Sequence, residues 1–229
     1  MTRPATRPGA LLFDFDGLIL DTESCTFETV QAIFAEHRVD LDRSYWQSIL
    51  GSADHPHWTE ILADRLGQQV DRPALTARRE KGRMKALLRQ PVSAGVVDLL
   101  DAARAEGVPT AVASSSSADW VVGHLDRLGL TERFTAIVTS DHVGHDPRRT
   151  KPAPDIFLAA ACVLDVDPAD CVVLEDSVNG VAAARAAGMT VVAVPGPMTA
   201  GLDFDAAHLV VPSVAALDLD LLRNLAATR

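Results

Sequence analysis

The run Ala10-Leu-Leu-Phe13, followed at once by Asp14-Phe-Asp-Gly17, decides the fold of this chain. An apolar run that ends in two carboxylates and a glycine is typical of a buried strand that opens into a loop. Similar apolar runs recur at residues 109–113, 134–138, 171–174 and 190–194. Each run is apolar on both faces and helical patterns lie between them, so we expect an α/β fold with a parallel sheet between two helical layers.

The helical patterns have recognisable ends. Ser117 is a predicted N-cap for a helix whose apolar face includes Val121 and Leu125. Residues 178–187 form an alanine-rich helix that Gly188 would end. The tail adds a short predicted strand at residues 209–211 and a closing helix.

One stretch breaks the alternation of strands and helices. Between about residues 20 and 90 no run predicts a strand, whereas apolar stripes predict three helices, the last over residues 74–88. We therefore expect a separate helical domain, residues 21–90, inserted into a core domain made of residues 1–20 and 91–229.

Composition excludes several classes of function. The net charge is -10, which disfavours nucleic acid or an anionic membrane as the main partner. Three widely spaced cysteines predict neither a disulfide framework nor a zinc site. The first nine residues lack the apolar segment of a signal peptide, and no run reaches the roughly 18 apolar residues of a membrane span. We expect a cytoplasmic protein that is a monomer or a small homo-oligomer.

Polar side chains follow the predicted strands at the point where each strand ends, which is where ligands bind in open parallel sheets. A lysine also precedes a predicted helix in Thr150-Lys-Pro-Ala-Pro-Asp155. The residues concerned are Asp14, Asp16, Ser114, Lys151, Glu175 and Asp176. Burying that many carboxylates around one lysine is costly unless a cation compensates. The ligands are all oxygens, so the sequence predicts Mg²⁺ and not zinc.

A metal beside a carboxylate suits phosphoryl transfer, in which positioning and charge neutralisation supply most of the catalysis. Asp14 is the candidate nucleophile. Asp16 is the candidate acid and base, although a turn at Gly17 could swing it away. The Ser114 hydroxyl and the Lys151 ammonium are candidates for holding the phosphoryl oxygens.

Four stretches, taken in order, resemble the motifs of the haloacid dehalogenase superfamily. They are Asp14-Phe-Asp-Gly-Leu-Ile-Leu-Asp-Thr22, Ala111-Val-Ala-Ser114, Lys151-Pro-Ala-Pro-Asp-Ile-Phe157 and Leu174-Glu-Asp-Ser-Val-Asn-Gly180. The resemblance spans residues 10–195 and is closest to the branch of β-phosphoglucomutases and phosphatases. It implies a Rossmann-like core, Mg²⁺, and a helical cap between the first two motifs.

The resemblance also implies roles for individual residues. Asp14 would be both nucleophile and metal ligand, and Asp16 would be the acid/base and give its backbone carbonyl to the metal. Asp176 would be a metal ligand, supported by Glu175 directly or through water. Dehalogenases of the superfamily lack an acid at the position of Asp16, so this residue indicates a phosphate ester as substrate.

Three functions stay open on the sequence: a phosphatase acting on a small phosphorylated metabolite, a sugar phosphomutase, and a non-catalytic protein that binds a phosphometabolite. The resemblance favours the phosphatase, because the position of a mutase's cap histidine is Thr26 and that of its phosphate-gripping arginine falls near Asp54.

Other candidate groups in the same stretch have simpler interpretations. His55 and His57 lack a third metal ligand and are expected to be solvated or to cap a helix. Trp46 and Trp58 are expected in the core of the helical domain.

Overall fold

The computed structural model of the chain describes residues 8–49 and 56–227. Its strands are β1 (Ala10–Phe13), β2 (Thr110–Ala113), β3 (Ala136–Val138), β4 (Cys171–Glu175), β5 (Thr190–Ala193) and β6 (Leu209–Val210). They form one parallel sheet in the spatial order β3-β2-β1-β4-β5-β6. The strand that carries the two aspartates is therefore central, with β2 on one side and β4 on the other.

Nine helices accompany the strands in the described part of the chain. They are α1 (Thr22–Glu36), α2 (Arg43–Ile49), α3 (Trp58–Leu66), α4 (Arg72–Leu87), α5 (Val96–Ala105), α6 (Ala118–Leu128), α7 (Asp155–Leu164), α8 (Val178–Ala186) and α9 (Leu219–Ala227). None of those helices is long and apolar enough to cross a membrane.

The core lies on both faces of the sheet. Successive strand residues point to opposite faces, and Leu11 and Leu12 of β1 are both fully buried. Leu12 packs in a cluster that includes Phe157 of α7 and Val181 of α8. Helices α5 and α9 pack against each other outside that cluster, and α9 contacts β4. The predicted α/β fold, with a parallel sheet covered by helices on both sides, is confirmed.

The chain divides into two compact units. One contains the sheet and comprises residues 8–20, 91–196 and 200–227. The other comprises residues 21–49, 56–90 and 197–199 and contains α1 to α4. The sequence patterns predict three helices here, and α2 is the additional one. Its seven residues are too few to display an apolar period.

The segment Pro197–Thr199 groups with the helical unit, whereas the boundaries predicted from the sequence assign it to the core domain. The reason is packing. Met198 is 1% exposed and belongs to the apolar cluster of the helical unit, beside Phe27 and Trp46. The Gln47 side-chain amide also donates to the Pro197 carbonyl at 3.2 Å.

The helical unit contains two tryptophans and a histidine whose positions were predicted from the sequence. Trp46 and Trp58 are buried in the cluster of the helical unit, as predicted. His57 is the N-cap of α3 and accepts the Thr59 amide, which confirms a capping role. Asp54 and His55 lie outside the described residues.

The predicted cap of α6 is only partly right. Ser117 does occupy the N-cap position, but its side chain makes no capping hydrogen bond. The first amide of the helix, at Ala118, instead donates to Asp141 Oδ2 at 2.7 Å. A carboxylate from the short 3-10 helix Ser140–Val143 therefore takes the role that was predicted for the neighbouring hydroxyl.

Candidate functional site

The site begins with Asp14, at the end of the central strand. Its amide donates to the Leu174 carbonyl at 3.0 Å, which continues the pairing of β1 with β4 by one residue. Asp14 is 6% exposed, and Glu175 and Asp176 at the end of β4 are 0% and 4% exposed. The pairing of these two strands therefore brings three buried carboxylates together at one edge of the sheet.

Lys151 lies among these carboxylates. Its Nζ donates to Asp14 Oδ1 and, at 2.7 Å, to Glu175 Oε1. The Lys151 side chain is only 7% exposed, so both ion pairs are shielded from water. Removing the lysine would strongly destabilise the fold, because two buried carboxylates would be left without compensation. The Lys151 amide donates to Ser115 Oγ at 3.2 Å, which ties the lysine segment to the loop after β2.

Burial sets the protonation of the pair. Burial is the largest of the effects that raise the pKa of Asp14. Lys151 opposes the shift and the carboxylates of Glu175 and Asp16 add to it, so that the pKa reaches about 7. Burial by itself would lower the pKa of Lys151, but Asp14 and Glu175 outweigh it and the pKa of the lysine is raised. The ammonium is therefore charged at neutral pH, while Asp14 is on the border between its two forms.

Glu175 is held at both of its oxygens. Oε1 accepts from Lys151, and Oε2 accepts from the Ser177 amide at 2.8 Å and the Ser177 hydroxyl at 2.9 Å. Ser177 is the N-cap of α8, and its hydroxyl oxygen accepts the Gly180 amide at 3.0 Å. The carboxylate thus connects the lysine to the first turn of α8.

Three of the candidate ligands form a group that suits a cation. One oxygen each of Asp14, Glu175 and Asp176 lies within 4.8 Å of the others, and all three residues are buried. Oxygen ligands alone match the preference of Mg²⁺, and a single ammonium leaves the negative charge in excess. The residues therefore fit the predicted metal. The Asp16 carboxylate is not part of this group, and the contribution of its backbone carbonyl stays a prediction.

The Asp16 carboxylate faces a different set of groups. Oδ2 accepts from the Ser116 hydroxyl at 2.6 Å, and Oδ1 accepts from the Trp120 indole Nε1 at 2.9 Å. Gly17 has a φ of +95°, so the chain does turn there, and the Gly17 amide donates to the Leu20 carbonyl at 2.8 Å. The Asp16 carboxylate thus lies outside the group formed by Asp14, Glu175 and Asp176 and has its own hydrogen-bond donors.

Ser114 lies at the end of β2 and is 1% exposed. Its amide donates to the Val138 carbonyl at 3.0 Å, and its hydroxyl oxygen accepts the Ser116 amide at 3.0 Å. Because that contact uses the oxygen as acceptor, the hydroxyl proton can be donated to a ligand. Strands β2, β1 and β4 are neighbours in the sheet and run parallel. Ser114 at the end of β2 therefore lies at the same edge of the sheet as Asp14 and Glu175.

Sequence reasoning missed Ser116 and Trp120 as partners of Asp16. They are 100 and 104 residues away from Asp16 along the chain, and a serine run followed by a lone tryptophan carries no recognisable motif. The available signal was their spacing of four, which places both on one side of a helix and the turn before it.

The close approach of the Glu175 carboxylate to Gly180 gives a prediction. A Cβ added at Gly180 would lie 1.7 Å from Glu175 Oε1, the atom that binds Lys151. We expect Gly180→Ala to lower the free energy of unfolding by at least about 2 kcal/mol, because Glu175 must move and release a buried ammonium. Gly123→Ala in α6 is the matched control, since no atom lies within 4 Å of its Cβ position. Equal stability of the two variants in urea unfolding would contradict this account.

Comparison with known proteins agrees with this geometry. The family model for haloacid dehalogenase-like hydrolases matches residues 8–188. The protein YhcW of Bacillus subtilis (strain 168), whose name carries the word phosphatase, is 40% identical over 93% of this chain and 95% of its own. Beta-phosphoglucomutase of the same organism is 31% identical over 94% of each chain.

A solved structure shares the fold. The HAD family hydrolase from Deinococcus radiodurans R1, described with bound phosphate and sodium, has a TM-score of 0.80 and 30% identity. The match covers 96% of this chain and 98% of that one. With a family model that matches most of its length and full-length relatives above 30% identity, this chain belongs to the family of haloacid dehalogenase-like hydrolases.

Proposed function

We propose that the protein is a Mg²⁺-dependent phosphatase that hydrolyses a small phosphorylated metabolite, such as a sugar phosphate, through an aspartyl-phosphate. The observation that carries the proposal is the buried Asp14 carboxylate at the end of β1, in contact with Lys151 and grouped with Glu175 and Asp176. A phosphoric monoester enzyme is also the class to which the names of YhcW and beta-phosphoglucomutase point.

Asp14 is the nucleophile of the proposed reaction. One of its carboxylate oxygens forms a bond to phosphorus while the ester P–O bond breaks, and the electron pair of that bond leaves with the substrate oxygen. Lys151 holds Asp14 Oδ1 and so fixes the carboxylate in one orientation before substrate arrives. The burial that raises the pKa of Asp14 also removes the water that would otherwise shield its charge.

Asp16 supplies and removes the proton. It gives a proton to the leaving oxygen, so that a neutral alcohol departs. In the second half of the reaction it takes a proton from the water that attacks the aspartyl-phosphate, which releases inorganic phosphate and restores both carboxyl groups. The separate hydrogen-bonding environment of Asp16, away from Lys151, is consistent with this division of roles.

Ser114 and Lys151 bind the phosphoryl oxygens in this proposal. The Ser114 hydroxyl has a proton to donate, and the Lys151 ammonium keeps one of its three donors after binding Asp14 and Glu175. Both groups are almost fully buried, where charge-assisted hydrogen bonds are strongest.

Asp14, Asp176 and Glu175 are the side chains that would hold Mg²⁺. When bound, the ion neutralises charge on the phosphoryl oxygens and helps to orient the group that is transferred. The residues prepare this site in advance: Ser177 and Lys151 fix Glu175, and Asp176 packs so closely on Gly17 that a Cβ there would lie 2.0 Å from Oδ2.

A sugar phosphomutase is the second candidate, and the similarity to beta-phosphoglucomutase favours it. The phosphatase is preferred because Thr26 stands where a mutase of this branch has its cap histidine, and the Thr26 hydroxyl donates to the Thr22 carbonyl of its own helix. Asp54, at the approximate position of the phosphate-gripping arginine, lies outside the described residues. A non-catalytic binding protein is disfavoured by the complete set of candidate groups.

The role of Asp14 can be tested with Asp14→Asn. The amide keeps the shape and an acceptor for Lys151 but loses the nucleophile, so phosphate release is expected to fall by more than about a hundredfold. Asp98→Asn is the control, since Asp98 is exposed on α5. If a folded Asp14→Asn protein, verified by circular dichroism, retained more activity than this, the covalent mechanism would be wrong.

The metal site predicts a dependence on both cation and pH. Chelation is expected to abolish phosphate release, with recovery on adding Mg²⁺ but not Ca²⁺, whose longer bonds loosen the geometry. Mg²⁺ should also raise the unfolding temperature, more at about pH 8 than at about pH 6. The reason is that a metal requires the ionised form of Asp14, and its pKa without metal is about 7.

Asp176→Asn should remove most of the thermal response to Mg²⁺. The metal assignment would fail if activity persisted in excess chelator, or if the unfolding temperature of the native chain ignored Mg²⁺ at both pH values.

The choice between phosphatase and mutase has a direct assay. The enzyme is incubated with β-glucose 1-phosphate and a trace of glucose 1,6-bisphosphate, and both glucose 6-phosphate and free phosphate are measured. We expect free phosphate to form, with no need for the bisphosphate. Rapid isomerisation with little phosphate released would make the mutase the correct assignment.

A further inference from the structure

Both oxygens of the Asp16 carboxylate already have a donor in the protein. The Ser116 hydroxyl donates to Oδ2 at 2.6 Å, and the Trp120 indole donates to Oδ1 at 2.9 Å. The two donors come from the loop before α6 and from the first turn of that helix. They hold the Asp16 carboxylate, while Lys151 holds the Asp14 carboxylate.

The Trp120 ring is itself fixed relative to the two aspartates. It makes an edge contact with His124, one helical turn further along α6, at 4.4 Å between ring centroids. His124 stacks on Phe15 at 6.3 Å, and Phe15 is the fully buried residue between Asp14 and Asp16. Aromatic contacts of this geometry restrict ring orientation, so the indole N–H points at a defined atom.

The two donors differ in what they can do. An indole N–H only donates, whereas a hydroxyl can donate or accept. Oδ1 of Asp16 therefore has to remain an acceptor for as long as the Trp120 indole donates to it. The Ser116 hydroxyl, in contrast, can donate to an ionised Oδ2 and can accept from a protonated one.

We propose that Trp120 is a positioning residue for the acid/base step, which reserves Oδ1 of Asp16 as an acceptor and leaves Oδ2, beside Ser116, as the oxygen that exchanges the proton. The inference rests on the proposed role of Asp16. The proton on Oδ2 passes to the leaving oxygen as the ester P–O bond breaks, and the Ser116 hydroxyl then turns to donate to Oδ2. The attacking water later returns a proton to the same oxygen.

Two probe substrates separate this role from a structural one. Phenyl phosphate has a leaving group as basic as a tyrosine side chain, with a pKa of about 10, and needs protonation. The leaving group of p-nitrophenyl phosphate, p-nitrophenolate, is a far more stable anion than phenolate and needs little protonation. Loss of a hydrogen bond to a charged group corresponds to about a tenfold effect.

With Mg²⁺ present, we expect Trp120→Phe to lower kcat for phenyl phosphate by about tenfold and for p-nitrophenyl phosphate by less than about twofold, with KM unchanged. Trp46→Phe, the same change in the helical unit, should leave the ratio of the two kcat values unchanged. In an Asp16→Asn background, Trp120→Phe should have no further effect, because it acts only through Asp16.

An equal loss for both substrates, or a loss that persists in the Asp16→Asn background, would overturn the role of Trp120. If Asp16→Asn failed to discriminate between the two substrates, the proposed acid/base role of Asp16 would itself be wrong and this inference would fall with it. Should Trp120→Phe not fold, the Ser116 variants decide. Ser116→Ala should lower kcat more for phenyl phosphate than for p-nitrophenyl phosphate, as Trp120→Phe does. Ser116→Thr, which keeps the hydroxyl, should retain the activity that Ser116→Ala loses. Failure of that pattern would overturn the proposal.

Discussion

The burial of one ammonium group between two carboxylates is the interaction on which the site depends. Lys151 contacts Asp14 and Glu175, and all three side chains are almost completely removed from water. Loss of the lysine would leave two buried carboxylates uncompensated, at a cost of about 3 to 5 kcal/mol. Such an arrangement persists only where the surrounding backbone holds it. The adjacent placement of β1 and β4, and the tie from the lysine segment to Ser115, provide that support.

The two aspartates of the first strand end show how a short segment acquires two chemical characters. Asp14 is paired with a charged lysine and grouped with other carboxylates, whereas Asp16 contacts the neutral donors of Ser116 and Trp120. Gly17, with a φ of +95°, turns the chain directly after Asp16. Residues only two positions apart in the sequence therefore experience different electrostatic surroundings, which is the condition under which one carboxyl group can attack while another handles a proton.

The strands, the parallel sheet and the location of the site at one edge of it could be predicted from the sequence. A buried parallel strand is a continuous apolar run, and the residue after it is at the functional edge, so Asp14, Ser114 and Asp176 could be placed without coordinates. The partners of Asp16 could not, because that contact depends on a turn and on packing between segments distant in the chain. The grouping of Pro197–Thr199 with the helical unit was missed for a similar reason, since only three-dimensional packing buries Met198.

The helical insertion leaves and rejoins the sheet unit at neighbouring points. The Ser93 amide, just after the insertion, donates to the Ile19 carbonyl, just before it, at 3.0 Å. When the ends of a loop are held together in this way, the free-energy cost of closing the loop depends only weakly on its length. Each doubling of the length adds about 0.6 kcal/mol. The sheet and its carboxylates can therefore tolerate large changes of length and sequence in the intervening segment. In evolutionary terms, this junction is a place where new material can be exchanged while the inherited chemistry is preserved.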